Sequence, residues 1–181
     1  PAYTFRPADR PEDVIVRERG PHGGPGRLLY FKESGPDGSR YDQEFIYERN
    51  RETGREVLTV LDFIEGVYVK MELAEAETDF DGFIDAGGRL QESGLIVNAA
   101  TRELKTELRR EGETFVSVND EGFTYIYEAL ADNGVGNLLR LRGPPAEDGK
   151  PQDLLFEYDP AHLIRTVYNL SDHDYKVIQI Q

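Results

Sequence analysis

The chain has no cysteine. That excludes a disulfide framework, a thiolate zinc site and a cysteine nucleophile. It also suits a reducing compartment, so a cytoplasmic location is expected. No apolar run approaches the roughly 18 residues that a helical membrane span needs, and no membrane partner is expected. No basic, then apolar leader opens the chain, so no secretory signal is expected. The first residues are Pro1-Ala2, which is what removal of an initiator Met leaves. Cations are in short supply: 21 Lys and Arg stand against 35 Asp and Glu, a net charge of −14. Duplex DNA binding needs clustered Lys and Arg, so no duplex DNA partner is expected. Acidity of this kind commonly serves solubility. It also suits a site that holds a divalent metal.

The 181 residues are the length of one domain. Ten Tyr and nine Phe argue for a packed core in place of disorder. The first ten residues, with Pro1 and Pro7, read as an extended arm. Val14-Ile15-Val16 and Leu28-Leu29-Tyr30-Phe31 read as strands. Tyr41, Phe45 and Tyr47 alternate with Asp42, Glu44 and Glu48, the period of a half-exposed strand. Val57 to Phe63 and Val67 to Leu73 add two more, split at Glu65-Gly66. Phe115 to Val118, Phe123 to Leu130, Leu138 to Leu141 and the Leu154-Phe156-Tyr158 stretch continue the strands. Turn clusters stand at residues 20–26, 35–39, 119–122 and 132–134, and residues 143–152 are a Pro- and Gly-rich loop. No internal repeat is evident.

Two segments read as helices. Asn98 is a good N-cap for a run to Arg110, with Ala100, Leu104 and Leu108 on one face. Arg109 and Arg110 then sit in the last turn, and Gly112 follows as a stop. The competing reading is two strands joined by a turn at Ala99-Ala100-Thr101; the Ala, Leu, Glu, Lys and Arg content favours helix. Asp159-Pro160 reads as a second helix start, with a Leu163, Val167 and Leu170 stripe. Tyr175 to Ile180 fits either strand or helix. A β-rich sheet with one central and one C-terminal helix is an α/β (α+β) sandwich.

On the first helix, Glu103 and Glu107 fall one turn apart, with both carboxylates on one side. Oxygen donors so placed suit Mg²⁺ or Mn²⁺. The wider segment, Gly87-Gly88 through Ala99-Ala100-Thr101-Arg102-Glu103-Leu104-Lys105-Thr106-Glu107, resembles the Nudix box. That box runs G-x5-E-x7-R-E-U-x-E-E-x-G-U, with U bulky and aliphatic. Gly88 takes its Gly, Arg102, Glu103 and Leu104 its R-E-U, and Glu107 the second of its E-E pair. Phe83 to Gly88 resembles the approach to the box in the branch that hydrolyses ADP-ribose and related ADP-sugars. Gly94, Thr106, Arg109 and Arg110 depart from the box, and Glu92 lies near the position of its first Glu.

The resemblance implies a Nudix-like α/β/α sandwich of mixed sheet over residues 56–181, with a β-rich extension over residues 1–55. It implies a metal-dependent hydrolase acting on a nucleoside diphosphate linked to another moiety, a nucleotide or sugar-nucleotide substrate. Glu103 and Glu107 would hold Mg²⁺ or Mn²⁺, and Glu103 and Glu92 would be catalytic. Gly88 and Arg102 would be structural, Arg102 bracing the loop against a carbonyl or carboxylate. The ADP-ribose branch pairs through its extension, which implies a homodimer.

The departures favour a second reading, a degenerate ligand-binding or interaction module on the same fold. A third is an unrelated β-barrel for an apolar small molecule, which needs strand at residues 98–111. Asp120, Glu121 and Glu128 are candidate extra acids. Phe123, Tyr125 and Tyr127 are candidates to stack a base, against the commoner role of core aromatics. His22 and His162 stand alone. Asp172-His173-Asp174 reads as a metal or acid–base pair, or as a plain turn. Asp79-Phe80-Asp81-Gly82 hints at a calcium loop that lacks its closing Glu, since Leu90 stands there.

Overall fold

A computed structural model describes residues 2–73 and 88–179. Fourteen strands and no helix account for the regular structure of these residues. They are β1 (Ala2–Phe5), β2 (Val14–Arg19), β3 (Pro25–Ser34), β4 (Arg40–Arg49), β5 (Glu56–Asp62), β6 (Val67–Glu72) and β7 (Arg89–Asn98). There follow β8 (Glu103–Glu111), β9 (Thr114–Val118), β10 (Thr124–Ala129), β11 (Val135–Gly143), β12 (Gln152–Asp159), β13 (Ile164–Asn169) and β14 (Asp174–Gln179). Strands that neighbour in sequence neighbour in the sheet. The α/β sandwich is therefore overturned: the fold is all-β, with neither the box helix nor the C-terminal helix.

Both corrections have the same physical cause. Asn98 does cap backbone N–H groups, but those of a turn: its Oδ1 accepts from Ala100 N at 3.0 Å and Thr101 N at 3.2 Å. Arg102 then takes the left-handed region, φ 54°, and the chain reverses. Beyond it, Thr106, Leu108 and Arg110 are half-buried and Glu107, Arg109 and Glu111 exposed, a period of two. Asp159 does the same, accepting from Ala161 N at 3.0 Å and His162 N at 3.2 Å, with Leu163 at φ 52°. An Asn or Asp side chain that satisfies the next N–H groups serves a helix start and a hairpin turn equally well. Helix propensity is a weak prior beside strand pairing.

Two turn types join most of the hairpins. In one, Asn or Asp accepts from the next two turn amides and the fifth residue is left-handed. Asn50 with Gly54, Asp62 with Gly66, Asn98 with Arg102, Asp159 with Leu163, and Asn169 with His173 follow it. In the other, the fourth of five residues is left-handed and its N–H bonds back to the first carbonyl. Gly23, Gly38, Gly122, Asn133 and Gly149 occupy that place. This is the three-residue hairpin loop closed by a bulge.

Two compact units divide within β8, Pro1–Thr106 and Glu107–Gln181. The 55/56 division falls in the hairpin between β4 and β5, which pair along their length.

In the first unit the core crosses β2 to β6. Phe45 pairs with Val60 and Val60 with Val69; Tyr47 pairs with Leu58 and Leu58 with Met71. Directly opposed residues share a face, so these rows stack on one side. Phe45, Leu58 and Val60 form the buried cluster with Leu28 and Leu73, and Ile15, Phe31, Tyr47 and Val69 pack against it. Burying each such side chain contributes about 1.5–3 kcal/mol. Four successive β5 residues, Leu58 to Leu61, are buried, so both faces of that strand are covered. Gly88 backs onto this core: a Cβ there would meet Met71 Cβ at 3.3 Å.

The second unit is thinner. Phe115 is fully buried. Every residue of β10 and β13 is half-buried. Gly143 lets the Phe123 ring lie over the ladder, since a Cβ would meet that ring at 2.6 Å.

Candidate functional site

Glu92 and Thr106 meet a tyrosine. The Glu92 carboxylate accepts from the Tyr68 hydroxyl at 2.6 Å and from Thr106 Oγ1 at 3.1 Å. The two hydroxyls are themselves 3.0 Å apart. Tyr68 is 1% exposed. Register explains the meeting, since Tyr68 opposes Gly94 and Lys70 opposes Glu92 across β6 and β7. A glycine opposite a bulky ring leaves the phenol room to reach its neighbours. The ring of three fixes the alignment of β6, β7 and β8, because a slip would leave a buried hydroxyl without its acceptor.

Arg102 sits in the β7–β8 turn. Its guanidinium contacts the Ala99 and Ala100 carbonyls at 3.4 and 3.3 Å and the Glu44 carboxylate at 2.9 Å. It also lies 5.8 Å from the centre of the Phe63 ring.

Glu103 and Glu107 are exposed residues of β8. The spacing that pairs carboxylates belongs to a helix; on a strand, four residues span about 13 Å. Glu92 is engaged with Tyr68 and Thr106. Among the described residues no group of three His, Cys, Asp or Glu is placed to hold a metal. The residues that the resemblance assigns to Mg²⁺ or Mn²⁺ thus do not fit one ion.

The other candidates are scattered. Asp120 and Glu121 lie in the turn that Asn119 caps, and Glu128 lies on β10. Tyr125 and Tyr127 stack along β10, 6.4 Å apart with planes 13° apart. His162 Nδ1 lies 2.6 Å from Asp159 Oδ2, inside its own turn. His22 is in the exposed turn before β3, and His173 holds the left-handed position before β14. The segments 79–82 and 83–87 fall outside the described residues.

A second constellation lies on β12 to β14. Tyr168 opposes Tyr175, with ring centres 6.1 Å apart and planes tilted by 35°. The Tyr168 hydroxyl donates to Glu157 at 2.9 Å. That bond pushes the phenol's pKa up. Beside them Arg140 grips Asp153 through two bonds, 2.8 and 2.6 Å long. Its hydrogen bond holds the Asp153 carboxyl below the usual range. Lys150 reaches Asp172 at 2.7 Å. Tyr175, Val177 and Ile178 of β14 are 63%, 57% and 40% exposed.

Tyr168 lies within the expected second helix, and Tyr175 begins the stretch that fits either strand or helix. The signal that marks them was present: β-branched and aromatic residues at 164, 166 and 168, then 175 and 177, alternate at a period of two. The chain matches no protein-family model, no curated protein sequence and no solved structure.

Proposed function

We propose that the chain is a partner-binding module that docks an extended segment of another protein along β14. One observation carries this reading. β14 is exposed along its whole length and, among the described strands, ends the strand order, with β13 as its neighbour. A terminal strand offers an unpaired row of N–H and C=O groups to any added strand. Natural sheets blunt such edges with charge, Pro or bulges; β14 carries Asp174 and Lys176, yet leaves Tyr175, Val177 and Ile178 exposed beside them. Strand addition of this kind takes affinity from main-chain bonds and selectivity from alternate side chains.

This reading takes the place of the hydrolase, whose carboxylates were paired by a helix. A cytoplasmic setting, which suits a cysteine-free chain, is part of the proposal.

The test is capture of a partner by the purified chain, identification, and calorimetric titration of the identified segment. Val177→Lys and Ile178→Lys are expected to weaken binding about tenfold or more while circular dichroism stays unchanged. Unchanged affinity in both variants would remove the edge as the docking site. Metal-dependent hydrolysis of an ADP-sugar at enzymic rates would restore a catalytic reading.

A further inference from the structure

We propose that Tyr168, Tyr175 and Glu157 form a receptor for one organic cation, the arginine or lysine head of the segment that docks on β14. The inference rests on the partner-binding reading above and names the chemistry that the partner brings.

Register puts the three residues on one face. Tyr168 opposes Tyr175, Glu157 opposes Thr166, and Thr166 opposes Val177. Opposed residues share a face, and residues two apart on a strand share it too. The two rings stand 6.1 Å apart and are tilted by 35°, so they form one joined aromatic surface. Tyr175 is 63% exposed, so much of its ring meets solvent. The face of a tyrosine ring attracts a cation through its quadrupole. Glu157 supplies the countercharge, oriented by the Tyr168 hydroxyl at 2.9 Å.

Glu157 is the charge that bonds to the tyrosine pair. Arg140 and Arg142 share Asp153, and Lys150 is held by Asp172. Lys176 opposes Val167, and Arg165 opposes Tyr158, which places both on the other face. Among the described residues no Lys or Arg pairs with Glu157. The chain as a whole carries a net charge of −14, which draws basic segments toward it.

A cross-strand tyrosine pair also stabilises a sheet by contact alone. A probe of matched shape separates the two roles. The intact protein is titrated with tetramethylammonium and, in parallel, with uncharged neopentanol, while tyrosine ring resonances are followed by NMR at constant ionic strength. Tetramethylammonium is expected to shift the Tyr168 and Tyr175 signals saturably, and neopentanol is not. Glu157→Gln should weaken the response about threefold or more, and Tyr175→Ala should abolish it. Tyr175→Phe should keep it, since the ring face is retained. Thermal melts of each variant show whether the fold survives.

No saturable shift, an equal response to neopentanol, or an unchanged response in folded Tyr175→Ala would overturn the receptor. These outcomes do not depend on the captured partner. Edge docking that persists without the cation response would sink the receptor alone.

Discussion

Arg102 reaches Glu44 across 58 positions of sequence, with Nε and Nη2 each 2.9 Å from Oε2. The contact ties the β7–β8 turn to β4. The two side chains are 49% and 25% exposed, so solvent screens the pair and its worth is about 0.5–1 kcal/mol. Against this, Arg102 holds a left-handed backbone that costs a non-Gly residue roughly 1 kcal/mol. Arg102→Ala loses the pair and keeps the strain, so it should destabilise by about 0.5–1 kcal/mol. Arg102→Gly loses both and should be close to neutral. Urea unfolding of the two variants decides it; a glycine variant weaker than the alanine one would contradict the assignment.

Leu163 repeats the same backbone with no ion pair to offset it. Its φ is 52° and its side chain is 56% exposed. Leu163→Gly should therefore raise stability by about 0.5–1 kcal/mol. Asp159→Ala, which removes the acceptor for two turn amides, should lower it by about 1 kcal/mol. Differential scanning calorimetry should show melting temperatures moving in opposite directions.

Acid should loosen the second unit through Asp153. Arg140 holds its folded pKa below the ordinary value of about 3.9. The stabilisation is then fully present above that ordinary value and drains away as pH falls through the folded one. Urea midpoints at about pH 5 and about pH 2.5 should differ more in the wild type than in Asp153→Asn. Equal differences would show that the Arg140 pair adds nothing to folding.

Alkali acts on the first unit. Burial, ahead of the bond to Asp42, lifts the Tyr30 hydroxyl to about 12, and burial lifts that of Tyr47 to about 12. The ordinary value is about 10. A raised folded pKa gives stability that is complete below the ordinary value and lost as pH climbs through the folded one. Unfolding followed by tyrosinate absorbance should therefore set in between about pH 10 and about pH 12. The Tyr47 hydroxyl is buried with no hydrogen-bond partner. Tyr47→Phe should accordingly be neutral or stabilising at pH 7 and should reduce the alkaline loss.

Much of the strand content was legible, because half-covered strands alternate. Phe45 and Tyr47 against Glu44 and Glu48 could hardly be anything else. What misled was capping chemistry. Asn98 and Asp159 each satisfy two amides, and nothing within a few residues tells whether a helix or a reversal follows. The deciding information is non-local: Glu44 awaits Arg102, and Tyr68 awaits Thr106. Glu103 and Glu107 were paired through a helix period, and that inference could not outlive the helix. Tyr168 and Tyr175 become partners only once β13 and β14 are aligned. Glu157 joins them through a diagonal that sequence spacing does not display.

The turn chemistry has a kinetic consequence. Each aligned ladder joins strands adjacent in sequence, most across a reversal of three or four residues with its own side-chain or glycine brace. Closing such small loops costs little chain entropy, and a hairpin forms in about 1–10 μs. Low contact order of this kind favours fast assembly in a β protein. Strands can add one after another, each templated by the edge before it, so the sheet can grow like a zipper as the chain is made. Among the described strands β14 is the last tooth, and the same templating that seated it on β13 is what it offers to a strand from elsewhere.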